Sequence, residues 1–171
     1  LIIGLLEPTS GQIEIDGIAL KKETRKSWIK NIGYVPQEVY IFNGTIAENI
    51  ALGFNHIDKV KIAQLIKWTS LDTWIDSLPN GIDTSLHEAG GNLSGGQKQR
   101  IGIARALYKG ASVLLMDEAT SALDNNTEQE IIQTIKDLKN SCNNLTILSI
   151  AHRATSLSYC DRIITIKRDD E

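Results

Sequence analysis

The spacing of apolar and polar residues changes several times along this chain, and each change marks a different element. LIIGLL (1–6) is an apolar run that reads as the tail of a buried helix, stopped by Pro8 and Gly11. GQIEIDGIAL (11–20) alternates apolar and polar positions and turns at Asp16-Gly17, which predicts an antiparallel hairpin. Residues 32–35 form a short strand candidate closed by Pro36. Residues 45–78 read mostly as helix, with Thr45 as N-cap and Trp68, Leu71, Trp74 and Leu78 spaced for one buried face.

The second half is more regular. SVLLM (112–116) is a continuous apolar run, as in a strand buried on both faces. A helix is predicted over 125–139, with Ile131, Ile135 and Leu138 on one side. LTILSI (145–150) reads as another buried strand, a short polar helical stretch follows, and RIITIK (162–167) reads as a last strand. Strands alternating with helices predict an α/β domain with a mostly parallel sheet.

Composition narrows the function classes. A length of 171 residues suits one domain with a real core. A net charge of −3 argues against nucleic acid or an anionic membrane surface as a partner. The longest apolar run is far short of a membrane span, and there is no signal-peptide pattern. Cys142 and Cys160 lack metal-type spacing and point to a reducing compartment.

Candidate chemistry concentrates in two strings. In HEAGGNLSGGQKQR, Ser94 immediately precedes a helical pattern running through Ile101, Ala104 and Leu107, and Gln97 follows three residues later. That spacing is a capping box, and the helix start it fixes is an anion site. Gly95 and Gly96 carry no side chain that would keep a phosphate from the backbone. The same four residues also fit an ordinary capped helix. In VLLMDEATSALD, a buried strand ends in Asp117 and Glu118. Ligands of open α/β sheets bind beyond the carboxyl ends of strands, where one carboxylate suits magnesium and its neighbour can orient or deprotonate a water. A solvated acidic turn fits the dipeptide alone equally well.

Together these strings resemble the nucleotide-binding domain of an ABC transporter. Residues 113–118 are similar to its Walker B motif, and Leu93 to Gln97 match its signature motif without departure. Gln37 matches the Q-loop, Ser121 to Asp124 the D-loop, and His152 in SIAHR the switch histidine. The resemblance covers essentially the whole chain and implies a P-loop NTPase-like core with a helical subdomain. Residues 38–110 would hold the helical subdomain and signature helix, and 111–171 the Walker B, D-loop and switch region, within a partial ATP-binding domain spanning 1–171. It implies ATP and Mg2+ as cofactors, with Asp117 and Gln37 serving the metal, Glu118 as general base and His152 at the γ-phosphate. Ser94, Gly95, Gly96 and Gln97 would bind ATP held by a second, head-to-tail nucleotide-binding domain, with Asp124 at the same seam. Asp124 reads equally as an N-cap.

IFNGTIAENIALG and SLPNGIDT are similar to exporter domains. Thr84, Glu88 and Gly90 match the exporter X-loop, while His87 departs from the glycine common there. The implied setting is the cytoplasmic face of a membrane, with a transmembrane domain contacted through the Q-loop and X-loop and with no nucleic acid. No GxxxxGK[ST] occurs in the sequence, so the 171 residues alone are expected to be inactive. The resemblance also places the strand that feeds the phosphate loop beside the strand of 145–150. A soluble ABC-type ATPase, such as a repair or translation factor, is the rival reading. A nucleotide-free interaction module is a third.

Overall fold

The computed structural model describes residues 1–87, 90–142 and 144–166. A two-residue-per-strand hairpin, β1 (Glu14–Ile15) and β2 (Ile18–Ala19), comes first and turns at Asp16 and Gly17, both with positive φ. α1 (Lys22–Asn31) leads into β3 (Ile32–Val35). A small antiparallel pair, β4 (Gly44–Thr45) with β5 (Ser85–Leu86), brackets α2 (Ile46–Ile50), α3 (Lys59–Trp68) and α4 (Asp72–Asp76). α5 (Gly95–Tyr108), β6 (Val113–Asp117), α6 (Asn125–Ser141) and β7 (Thr146–Ile150) complete the regular elements, and a short 3-10 turn spans Ala154–Leu157.

The central sheet is parallel in the order β3-β6-β7. β6 is the middle strand, and Leu114, Leu115 and Met116 are buried as its unbroken apolar run requires. α5 packs on β3 at very short range. A Cβ on Gly33 would stand 2.8 Å from both the Cβ and the carbonyl oxygen of Ala106, so only glycine lets helix and strand approach this closely. α5 also packs against α2, α3 and α6, which makes it the hub of a single apolar core. Ile101, Ile103, Ile131, Ile135 and Leu138 are fully buried there.

Four sequence expectations need correction. Residues 1–6 form a hydrogen-bonded turn, Gly4 N–H to the Leu1 carbonyl, and leave Leu1, Leu5 and Leu6 exposed. Gly4, at φ 83°, interrupts any helical run here. The helical stretch over 45–78 is three helices. Gly53 and Ser70, both at positive φ, interrupt it, and Asp58 caps the second helix by accepting from the Val60 and Lys61 N–H groups. Thr45 does cap the first, in a full capping box with Glu48.

The 145–150 strand is not buried on both faces. β7 is paired on one side only among the described residues, with Leu148 and Ile150 exposed. Residues 162–166 form no strand, and Ile163, Ile164 and Ile166 are exposed; Lys167 lies outside the described residues. A strand exists only by pairing, and no strand among the described residues stands where this segment could join.

Candidate functional site

Parallel pairing in register brings the first group of residues together. Val35 pairs with Met116, and Asp117 with Ile150, so the segments leaving β3, β6 and β7 emerge at one edge of the sheet. Those segments carry Gln37, Glu118 and His152. Neighbouring strands lie only ~5 Å apart, which puts their exits within side-chain reach.

Glu118 is the first residue past β6 and adopts φ 47°, a left-handed conformation that is strained for a glutamate. Its N–H donates to the Ile150 carbonyl at 2.9 Å, extending the β6–β7 ladder by one bond. The turn aims its carboxylate at the segment after β7: His152 Nε2 lies 2.9 Å from Glu118 Oε1. His152 is highly exposed, while Glu118 is about three-quarters covered. A carboxylate fixed by an imidazole, at a strand end open to solvent, is equipped to take a proton from water.

Asp117 sits beside it and accepts from the Tyr34 hydroxyl at 3.0 Å. Burial, and then the Asp117 hydrogen bond and charge, push the Tyr34 phenol above its ordinary value, so Tyr34 stays a proton donor to that carboxylate. Gln37 joins through a relay. Its Nε2 donates to Ser121 Oγ at 3.0 Å, and Ser121 Oγ donates to the Glu118 carbonyl at 2.9 Å. Tyr34 escaped the sequence reading as a site residue, and Ser121 entered it only as the first residue of the 121–124 match. For Tyr34 the available signal was an aromatic on the exposed phase of a strand otherwise buried.

The second group is built locally. Ser94 Oγ accepts from the Gln97 N–H at 3.2 Å and Gln97 Oε1 from the Ser94 N–H at 2.9 Å, the complete capping box at the start of α5. The glycines that follow also serve packing. A Cβ on Gly95 would stand 2.8 Å from Leu123 Cδ2, and one on Gly96 2.6 Å from Thr127 Cγ2. The start of α5 therefore rests on the start of α6. Asp124 caps α6, accepting from the Asn126 and Thr127 N–H groups at 3.1 Å each and from Thr127 Oγ1 at 2.6 Å. Its carboxyl is held below the ordinary value, first by the Thr127 side chain and then by the backbone bonds. Ser94 to Gln97 and Asp124 thus gather in one place, and Gln37, Asp117, Glu118 and His152 in another, joined by residues 119–123.

The two exporter-like stretches also meet. Gly44–Thr45 pairs with Ser85–Leu86, and the Ile46 N–H donates to the Thr84 carbonyl. Gly90, at φ 56°, packs on Ile41, while Glu88 lies outside the described residues. Arg105 of α5 reaches the same region, donating to the Asn49 and Tyr40 carbonyls at 2.8 and 3.0 Å. Burial lowers its guanidinium from the ordinary value.

The donors at the end of β6 are oxygens, as a hard divalent cation requires. Among the described residues no group of three or more His, Cys, Asp and Glu side chains gathers to hold a metal alone. That donor set fits magnesium in its usual manner, bound by one or two carboxylates together with substrate phosphates. Among the described residues no helix is long and apolar enough to cross a membrane.

Comparison with known proteins points to one family. A family profile described as ABC transporter matches residues 1–121. The chain is similar to the ATP-dependent lipid A-core flippase of Ralstonia nicotianae, with 39% identity over 98% of this chain and 28% of the flippase. It is also similar to the mitochondrial iron-sulfur clusters transporter ATM1 of Debaryomyces hansenii, with 41% identity over 98% of this chain and 24% of that protein. Among solved structures, a bacterial Atm1-family ABC exporter with ATP bound superimposes with a TM-score of 0.77 at 39% identity, over 91% of this chain and 27% of that one. The chain therefore spans about a quarter of the length of each of these relatives.

Proposed function

The chain belongs to the ABC transporter family, with an α/β core of P-loop NTPase type, and from that premise we propose that it forms part of the ATP-hydrolysing domain of an exporter or flippase. The observation that carries this reading is the Glu118–His152 pair, 2.9 Å apart at the end of β6 and adjacent to Asp117. The exporter and flippase relatives favour transport over a soluble ATPase.

In this reading Glu118 accepts the proton of the attacking water. His152 orients that carboxylate and contacts the γ-phosphate. Asp117 and Gln37 serve a magnesium ion, which when bound neutralises phosphate charge. Tyr34 keeps Asp117 in place, and the Gln37–Ser121 relay links the Q-loop to the base. Ser94, Gly95, Gly96 and Gln97 contact ATP held by a second, head-to-tail nucleotide-binding domain, and Asp124 lies at that seam.

Residues 38–110 act as the helical subdomain and signature helix, and residues 111–171 carry the Walker B, D-loop and switch region. A transmembrane domain is contacted through the Q-loop and through the segment of Thr84, Glu88 and Gly90, on the cytoplasmic face of a membrane. The 171 residues alone contain no GxxxxGK[ST] and should neither bind ATP in the micromolar range nor hydrolyse it.

The test is Glu118→Gln in the full-length protein. The amide preserves shape but takes up no proton, so turnover should fall by about 10²–10⁴-fold with ATP binding retained. Near-normal turnover in that variant would remove Glu118 from the role of base.

A further inference from the structure

One buried carboxylate is left over by this mechanism. Glu128 lies in the first turn of α6, and only 3% of it is exposed. It sits three residues before Ile131, on the apolar face of the helix, where a charge is costly unless partnered. Its partners come from two different loops. Thr120 Oγ1, in the segment after Glu118, donates to Glu128 Oε1 at 3.1 Å. Ser156 Oγ, four residues after His152, donates to the same oxygen. The other oxygen, Oε2, faces Arg153 Nη1 at 3.8 Å. The helix start favours a negative charge at this position. Both donors are themselves buried.

We propose that Glu128 is a positioning residue that ties the segment after Glu118 to the switch segment after His152, and so holds these two side chains at contact distance. The loops have no shared strand pairing beyond the Glu118 N–H to Ile150 carbonyl bond, and His152 itself is highly exposed. Beyond that bond and the Glu118–His152 contact itself, the Thr120 and Ser156 bonds to Glu128 are what join the two loops among the contacts described. A single oxygen accepting from both loops makes their positions interdependent. Because Asp124 caps the same helical turn, α6 carries a seam residue at its cap and the inter-loop tie one turn later. The inference rests on the proposed hydrolytic role of Glu118 and His152.

The test compares two substitutions of similar size in the full-length protein. Glu128→Met fills the space but leaves the Thr120 and Ser156 hydroxyls unpaired. Glu128→Gln retains an oxygen that accepts from both. Hydrogen exchange is read without nucleotide over residues 118–124, 150–158 and the body of α6, and ATP turnover is measured alongside.

In Glu128→Met both loops should exchange about tenfold faster while the body of α6 keeps its protection, the scale expected for losing buried hydrogen bonds. Its kcat should fall by about tenfold or more with KM for ATP within about twofold, as for a positioning defect. Glu128→Gln should stay close to the parent in both measurements. Unchanged loops in Glu128→Met would make Glu128 a space-filler and overturn the proposal. Equal loss in both variants would overturn it too, since the hydroxyl bonds would then not be the tie. So would faster exchange spreading through α6. A full-length protein without ATP turnover would instead refute the proposed function, and the exchange data would still decide the tie.

Discussion

The start of α5 and the end of β6 are built on opposite principles. At α5 the chain closes a capping box within four residues, Ser94 to Gln97, and needs nothing distant to do so. At β6 the site is assembled from three strand exits and Ser121 beyond them, with Gln37 and Ser121 84 residues apart in sequence and Tyr34 and Asp117 83 apart. A local device fails one bond at a time. An assembled one fails when any contributing segment shifts, because sheet register and loop anchoring set its distances jointly. The structure also qualifies the contrast, since the local device is docked: Gly95 and Gly96 let α5 touch Leu123 and Thr127.

The largest effect expected on that contrast comes from the docking contact. Helix propensity alone favours Gly96→Ala by up to ~1 kcal/mol. The added Cβ, however, meets Thr127 Cγ2 at 2.6 Å, and overpacking of this kind costs about 1–3 kcal/mol. The clash should win, lowering the denaturation midpoint. Thr127→Ser in the same chain removes that methyl, keeps a hydroxyl for Asp124, and should reverse the loss. A Gly96→Ala midpoint at or above the parent would show that the contact yields freely.

Ser94→Ala ranks next. It removes the acceptor for the Gln97 N–H and should cost about 1 kcal/mol, as N-cap losses do. Amide exchange should rise in the first turn of α5 and remain unchanged around Glu118 and His152. Spread to the β6 end would mean that the two groups are less independent than their construction implies.

The smallest effect concerns Asp124, whose carboxyl is depressed chiefly by Thr127. A depressed acid contributes stability that is fully present above its unfolded value, ~3.9, and is lost as pH falls through the lower folded value. Protection of the Asn126 and Thr127 amides, taken relative to the intrinsic exchange rate at each pH, should therefore fall as acid is added below the ordinary aspartate range. Asp124→Asn should flatten that dependence, and an unchanged profile would assign it to another group.

Legibility from the sequence followed the same divide. The cap at Thr45, the capping box at Ser94 and the cap at Asp124 were readable because their partners lie within three residues. β6 was readable because a central strand is apolar on both faces. β7 looked similar in sequence yet is half-exposed, since burial of a strand depends on its neighbours and not on its own residues. RIITIK fails as a strand for the same reason. The breaks at Gly53 and Ser70 were hidden because apolar spacing continued across them. The Glu118–His152 contact was not derivable from spacing, because it depends on the β6–β7 register. Glu128 does leave a signal, a lone charge in line with Ile131, Ile135 and Leu138 on one helix face.

The account stands most directly on the claim that Glu118 and His152 act as one unit. Single-turnover ATP hydrolysis by the full-length protein should be measured for Glu118→Gln, His152→Ala and the pair combined. Groups that act together lose their effect once, so the double variant should be no slower than Glu118→Gln alone, within about threefold. A double variant slowed by the product of the two single losses would show that the residues act separately and would contradict the account.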